Sequence, residues 1–144
     1  MTAPSDSAPR PKPRITPDAD AYWDTVRTAR ARSCQRCTHC DRLQFYPRLL
    51  CVHCGGPVEQ LALSGHGTVY SFTVVHRAPA GFTGLAPYAV TLVDLDEGVR
   101  VMGRLITDRP EDIRIGGRVH TLIEEPGEAM ADTALPQFVP VIEE

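Results

Sequence analysis

Two Cys-x2-Cys pairs constrain this chain more than any other feature of it. Cys37-Thr-His-Cys40 and Cys51-Val-His-Cys54 are separated by ten residues. Each pair wraps a tight turn around one side of a tetrahedral ion, and a hairpin between them brings the two turns together. Zinc accepts four thiolates without a geometric preference of its own, so it is the expected metal, ahead of iron. Gly55 follows Cys54 and suits the left-handed conformation such a turn needs; Asp41 holds the equivalent place after Cys40 and adopts it at some cost. Cys34-Gln-Arg-Cys37 is an overlapping pair of the same spacing. Cys37 and Cys40 are preferred as ligands because Asp41 tolerates the turn better than Thr38. Cys34 is then a spare thiol packed as a small apolar group. Four thiolates close the shell and leave no position for water or substrate, so the metal is structural and does no chemistry. His39 and His53 read as exposed spectators.

Charge distribution limits the partners. Residues 1–60 carry nine Lys or Arg against six acids, a balance of +3, and residues 61–144 carry six Arg against twelve acids, a balance of -6. Neither half has the basic field that drives binding to a phosphate backbone. Five cysteines, four of them in tight pairs, do not resemble a disulfide scaffold. No apolar run reaches the ~18 residues of a membrane span, and the proline-rich N-terminus is not a signal peptide. A cytoplasmic location is therefore expected.

Residues 1–17 read as a disordered, solubilising arm. A helix is expected from Asp18 to about Arg32, with acids at its start, arginines at its end, and Tyr22, Trp23 and Val26 on one apolar face. Residues 18–60 thus form a helix and zinc ribbon, with a turn at Tyr46-Pro47-Arg48. From residue 61 to 144 the pattern is β: Thr68 to Val75, Tyr88 to Leu95, Val99 to Ile106 and Arg118 to Glu124. A final strand is expected from Phe138-Val139 and Val141-Ile142, interrupted by Pro140. Asp96-Glu97-Gly98 is a hairpin turn, His76 to Pro87 a long loop, and Asp108 to Ile115 holds one helical turn. Strands of this number and length suit a small barrel of the oligonucleotide/oligosaccharide-binding type (OB-fold), with an open β-sandwich as the alternative. The fold class is mainly β.

No nucleophile elbow, phosphate loop or dinucleotide fingerprint is present. His66, His76 and His120 are scattered. His76 with Asp94 or Asp96 is the one acid–base pairing worth naming, but surface histidine is the preferred reading. Tyr70, Phe72, Phe82 and Tyr88 could stack on bases. Without a positive groove they read as core, with Phe82 in a contact loop, and no catalytic residue is assigned.

The order of parts resembles the DUF35 family. The resemblance is carried by the Tyr22-Trp23 helix, Cys37-x2-Cys40, Leu43-Gln44-Phe45-Tyr46-Pro47-Arg48 and Cys51-x2-Cys54-Gly55. It continues through Gly65-His-Gly-Thr68-Val69-Tyr70-Ser71-Phe72, Pro87-Tyr88, Val93-Asp94-Leu95-Asp96-Glu97-Gly98 and Pro136-Gln-Phe138. It covers roughly residues 18–140; Asp41 departs from the glycine more usual there. The resemblance implies a rubredoxin-like zinc ribbon followed by an OB-fold. It also implies a non-catalytic accessory subunit of acyl-CoA enzymes: a thiolase-like large subunit or steroid side-chain aldolase, in a two-plus-two assembly, or a MaoC-like enoyl-CoA hydratase. Tyr22, Trp23, Phe45, Tyr46, Pro47 and Phe82 are the expected partner contacts. Arg48 and Arg77 are candidates for the phosphates of a CoA thioester held jointly with the partner. A single-stranded nucleic-acid module is the distant alternative, and neither nucleic acid nor membrane is expected as a partner.

Overall fold

The computed structural model describes residues 10–125 and 134–141. The assignments to residues 1–9 of the arm and to Ile142 of the last strand lie outside them. A 3-10 turn, Pro17–Ala19, leads into helix α1, Asp20–Ala29. The helix ends at Ala29, three residues before Arg32, because Arg30 takes the left-handed conformation, φ 55°. That reversal lays the following residues against the rest of the protein as strand β1, Ser33–Cys37. β1 is the centre of a three-stranded antiparallel sheet, with β2, Leu43–Gln44, on one side and β3, Val58–Ala62, on the other.

β3 carries the chain into a closed five-stranded barrel ordered β4-β5-β6-β8-β7. Its strands are β4 (His66–Val75), β5 (Tyr88–Leu95), β6 (Arg100–Leu105), β7 (Arg118–Glu124) and β8 (Leu135–Pro140). Closure decides against the open sandwich. Strict alternation in β5 turns Ala89, Thr91, Val93 and Leu95 inward. The β5–β6 hairpin turns on Gly98 at φ 106°, a conformation glycine adopts freely. The seam is a single parallel rung, Leu105 to Phe138, between β6 and β8. Gly103 makes room there: a Cβ on it would lie 2.8 Å from the Phe138 ring.

Several expectations are corrected. The last strand begins at Leu135 and not at Phe138, because Pro136 and Pro140 both fit the ladder with β7, opposite Ile123 and Val119. The helical turn after β6 is only Pro110–Asp112. Tyr70 and Phe72 are not core. Tyr70 lies on the face of β4 opposite buried Gly67 and Val69, beside a bulge between Val69 and Ser71, and the Arg100 guanidinium lies 3.4 Å from its ring centroid. Tyr88 and Phe82 are half-buried, with ring centroids 6.3 Å apart.

Ribbon and barrel share one core. Cys34 and Leu63 belong to the same buried cluster as Val69, Val93, Val101 and Phe138, with Leu43, Phe45 and Leu61 packed against it. Cys34 is buried, and desolvation, followed by the charge of Glu97, pushes its thiol up to about 11. No helix among the described residues is long and apolar enough to cross a membrane.

Candidate metal centre and the adjoining groove

The two cysteine turns are built alike. Asp41 N donates to Cys37 O (3.0 Å) and Gly55 N to Cys51 O (2.9 Å), each from a residue in the left-handed region, φ 66° and 76°. Amides then point at sulfur: His39 N and Cys40 N donate to Cys37 Sγ, and His53 N to Cys51 Sγ, all at 3.3 Å. The four sulfurs of Cys37, Cys40, Cys51 and Cys54 lie within 4.8 Å of one another. Cys37–Cys54 and Cys40–Cys51 are 3.4 and 3.7 Å apart, close to the edge of about 3.8 Å for a tetrahedron with ~2.3 Å zinc–sulfur bonds. Gly56 backs the cluster: a Cβ there would stand 3.2 Å from two of the sulfurs and 2.9 Å from His39 Cβ.

The electrostatics ask for a cation. The Cys40 amide, with the His39 amide, holds the Cys37 thiol down to about 6. The Gly56 amide also favours the Cys54 thiolate, but the neighbouring Cys37 sulfur and burial push that thiol up to about 12. One proton leaves easily and another does not, because crowded sulfurs repel as they ionise. A divalent ion supplies the missing charge. The geometry and donor set fit a structural zinc site whose shell is closed. His39 and His53 are exposed outside it, and His53 Nδ1 faces Arg42 Nη1 at 3.4 Å.

Two buried glutamines, which carry no sequence signal beyond their place in the ribbon, fix the second turn. Gln35 Nε2 donates to Arg48 O, Arg48 N donates to Gln35 Oε1, Gln44 Nε2 donates to Gln35 Oε1, and Val52 N donates to Gln44 Oε1, all at 2.8–2.9 Å. They stand in for backbone pairing through Tyr46–Leu50 and present Cys51 to the other pair.

Beside the ribbon, α1, β6 and β8 enclose a groove of about 400 Å³. Five of the six expected contact residues line it: Tyr22, Trp23, Phe45, Tyr46 and Pro47, joined by Met102 and Pro136. Tyr22 meets Trp23 and Phe45 edge-on at 5.3 and 5.7 Å. Phe82 is elsewhere, in the β4–β5 loop with the Arg10 guanidinium 5.9 Å from its ring centroid. Arg32 is the residue that sequence reasoning missed. Assigned only to the end of the helix, it lies beyond that end, 2% exposed and stacked 4.2 Å from the Phe138 ring centroid. It donates to Thr121 Oγ1 and Pro136 O, both at 3.1 Å.

Arg48 is exposed on the ribbon turn and Arg77 in the loop after β4. His66 and His120 face each other across β4 and β7 with ring centroids 6.2 Å apart. His76 follows Val75, which pairs with Tyr88 at the opposite end of β5 from Asp94, roughly 20 Å away. Asp94 and Asp96 are held by Arg100 and Arg118 at 2.6–3.2 Å.

Comparison with known proteins matches residues 35–59 to the ChsH2 rubredoxin-like zinc ribbon domain and residues 60–123 to the ChsH2 C-terminal OB-fold domain. A DUF35 domain-containing scaffold protein of Methanocaldococcus jannaschii is 36% identical over 111 residues, covering 74% of this chain and 79% of that protein. The chain belongs to the DUF35 family. This DUF35 protein is also 35% identical over 134 residues to a probable enoyl-CoA hydratase alpha subunit of Thermomonospora curvata, covering 92% of this chain but 40% of that longer one. Among solved structures it is similar to a chain of the Ltp2-ChsH2(DUF35) aldolase, with TM-score 0.80 and 33% identity, over 90% of this chain and 99% of that chain.

Proposed function

We propose that this DUF35 protein is a non-catalytic accessory subunit of an aldolase- or thiolase-like complex acting on acyl-CoA thioesters. The observation that carries this reading is the likeness, over nearly the whole of both chains, to a chain of the Ltp2-ChsH2(DUF35) aldolase. Its supports are chemical as well. The cysteine centre has no open position for substrate, His76 is remote from Asp94, and Asp94 and Asp96 are neutralised by arginines. The zinc keeps the ribbon folded, and a reducing cytoplasm suits its four thiolates. The large subunit supplies the catalytic groups. The groove lined by Trp23, Tyr46 and Pro47 faces it, and Arg48 and Arg77 are available to CoA phosphates.

Co-expression with a thiolase-like large subunit tests the reading. A two-plus-two complex by native mass measurement is expected, with acyl-CoA turnover only when both chains are present. Turnover by the isolated chain, or a free monomer beside an intact large subunit, would exclude it. The likeness to a hydratase alpha subunit favours a MaoC-like hydratase as the second partner class, and the same copurification separates the two.

A further inference from the structure

The groove has apolar walls and a positive floor. Arg32 lines it, and its hydrogen bonds among the described residues go to neutral oxygens, Thr121 Oγ1 and the Pro136 carbonyl. Among the described residues no carboxylate pairs with it, whereas Arg10, Arg36, Arg100, Arg104 and Arg118 each reach one. Burying a guanidinium without a counter-charge is costly, and such a site favours whatever brings a negative charge to it. The protein carries a net charge of -3, so this positive basin runs against its overall sign. Around it Tyr46 and Met102 are 64% and 60% exposed, the aromatic and thioether side chains that protein interfaces favour.

We propose that the groove docks a segment of the large partner subunit that lays an aromatic or branched aliphatic side chain against Trp23, Tyr46 and Met102 and sets a carboxylate toward Arg32. This rests on the accessory-subunit reading and names the chemistry by which the partner is recognised. An acyl-CoA fits less well, because its charges sit far from the apolar end that the walls would hold.

Trp23 is the only tryptophan of the chain, so its emission reports the groove directly. The zinc-loaded chain is titrated with three capped peptides, Ac-Leu-Phe-Glu-Leu-NH2 and its Gln and Lys counterparts, and separately with octanoyl-CoA. The Glu peptide is expected to bind at least about tenfold tighter than the Lys peptide, with Gln between them. Met102→Glu, on the groove wall, should weaken the Glu peptide more than tenfold and abolish the complex with the large subunit. Ile115→Glu, 70% exposed and outside the groove, should change neither. Equal binding of the Glu and Lys peptides overturns the proposal, as does saturation by octanoyl-CoA where peptides leave Trp23 unchanged. Self-association of the chain that Met102→Glu abolishes overturns it too. A wild-type complex that Met102→Glu leaves intact removes the groove alone; a wild-type chain that forms no complex removes the accessory-subunit reading with it.

Discussion

The amides of His39, Cys40 and His53 already point at sulfur, so the backbone of each turn is polarised toward negative charge before any side chain contributes. Ligand and non-ligand residues alternate here within three positions, which makes substitution decisive. Cys54→Ser is expected to reduce bound zinc from one per chain to a small fraction. Its affinity loss should exceed the about 10–100-fold typical of losing an outer-shell partner. His53→Ala, one residue away, is expected to keep the full metal content. Elemental analysis of the two purified proteins after dialysis checks both, and zinc loss in His53→Ala would reassign the shell. Arg32 marks the opposite case at this scale. A guanidinium at a helix end normally lies in water, and here Arg30 at φ 55° turns the chain so that the next charge, Arg32, goes inside.

Strands β6, β7 and β8 are tied to the N-terminal segment through one carboxylate. Glu124 accepts from Arg10, Arg104 and Gln137 at 2.8–3.3 Å. Burial alone would raise its carboxyl; Arg10, Gln137 and Arg104 outweigh burial and hold it down to about 2. A carboxyl lowered in the folded state stabilises that state above its unfolded pKa of about 4.3, and the contribution fades as pH falls toward 2. Urea midpoints of wild type and Glu124→Gln should therefore differ by a constant amount from pH 6 to 8 and draw together progressively as pH falls from about 4 toward 2. The acid sensitivity of the cysteine site cancels in the comparison, and a gap at pH 2.5 as large as that at pH 7 would break the assignment. The elements themselves were unevenly legible. Alternation and the Asp96-Glu97-Gly98 turn announce β5 and β6, because both are local signals. The start of β8 was hidden by Pro136, which reads as a break until its place in the ladder opposite Ile123 is seen. The aromatic walls of the groove were legible as residues wanting a partner. Its positive floor was not, since it depends on where α1 stops. Gln35 and Gln44 were silent because an amide's worth lies in the backbone atoms it meets.

At the scale of the molecule, ribbon and barrel answer to each other through Cys34, Leu61, Leu63 and Phe45, so metal loss is expected to weaken both. Under reducing conditions, chelation should lower the thermal midpoint by at least about 5 °C, the order expected for 1–2 kcal/mol lost from a domain of this size. Far-ultraviolet dichroism and Trp23 emission should shift together; a barrel that melts unchanged after its zinc has gone would show two independent units. The seam between β6 and β8 carries a further implication. Its one rung unites Leu105 with Phe138, and Phe138 is also the surface on which Arg32 lies. During translation the helix and both cysteine turns emerge long before that phenylalanine, so Arg32 waits for more than a hundred residues without its resting place. Until then the nascent sheet has two raw borders, and the late arrival of six residues seals the cylinder and seats the early charge in the same event.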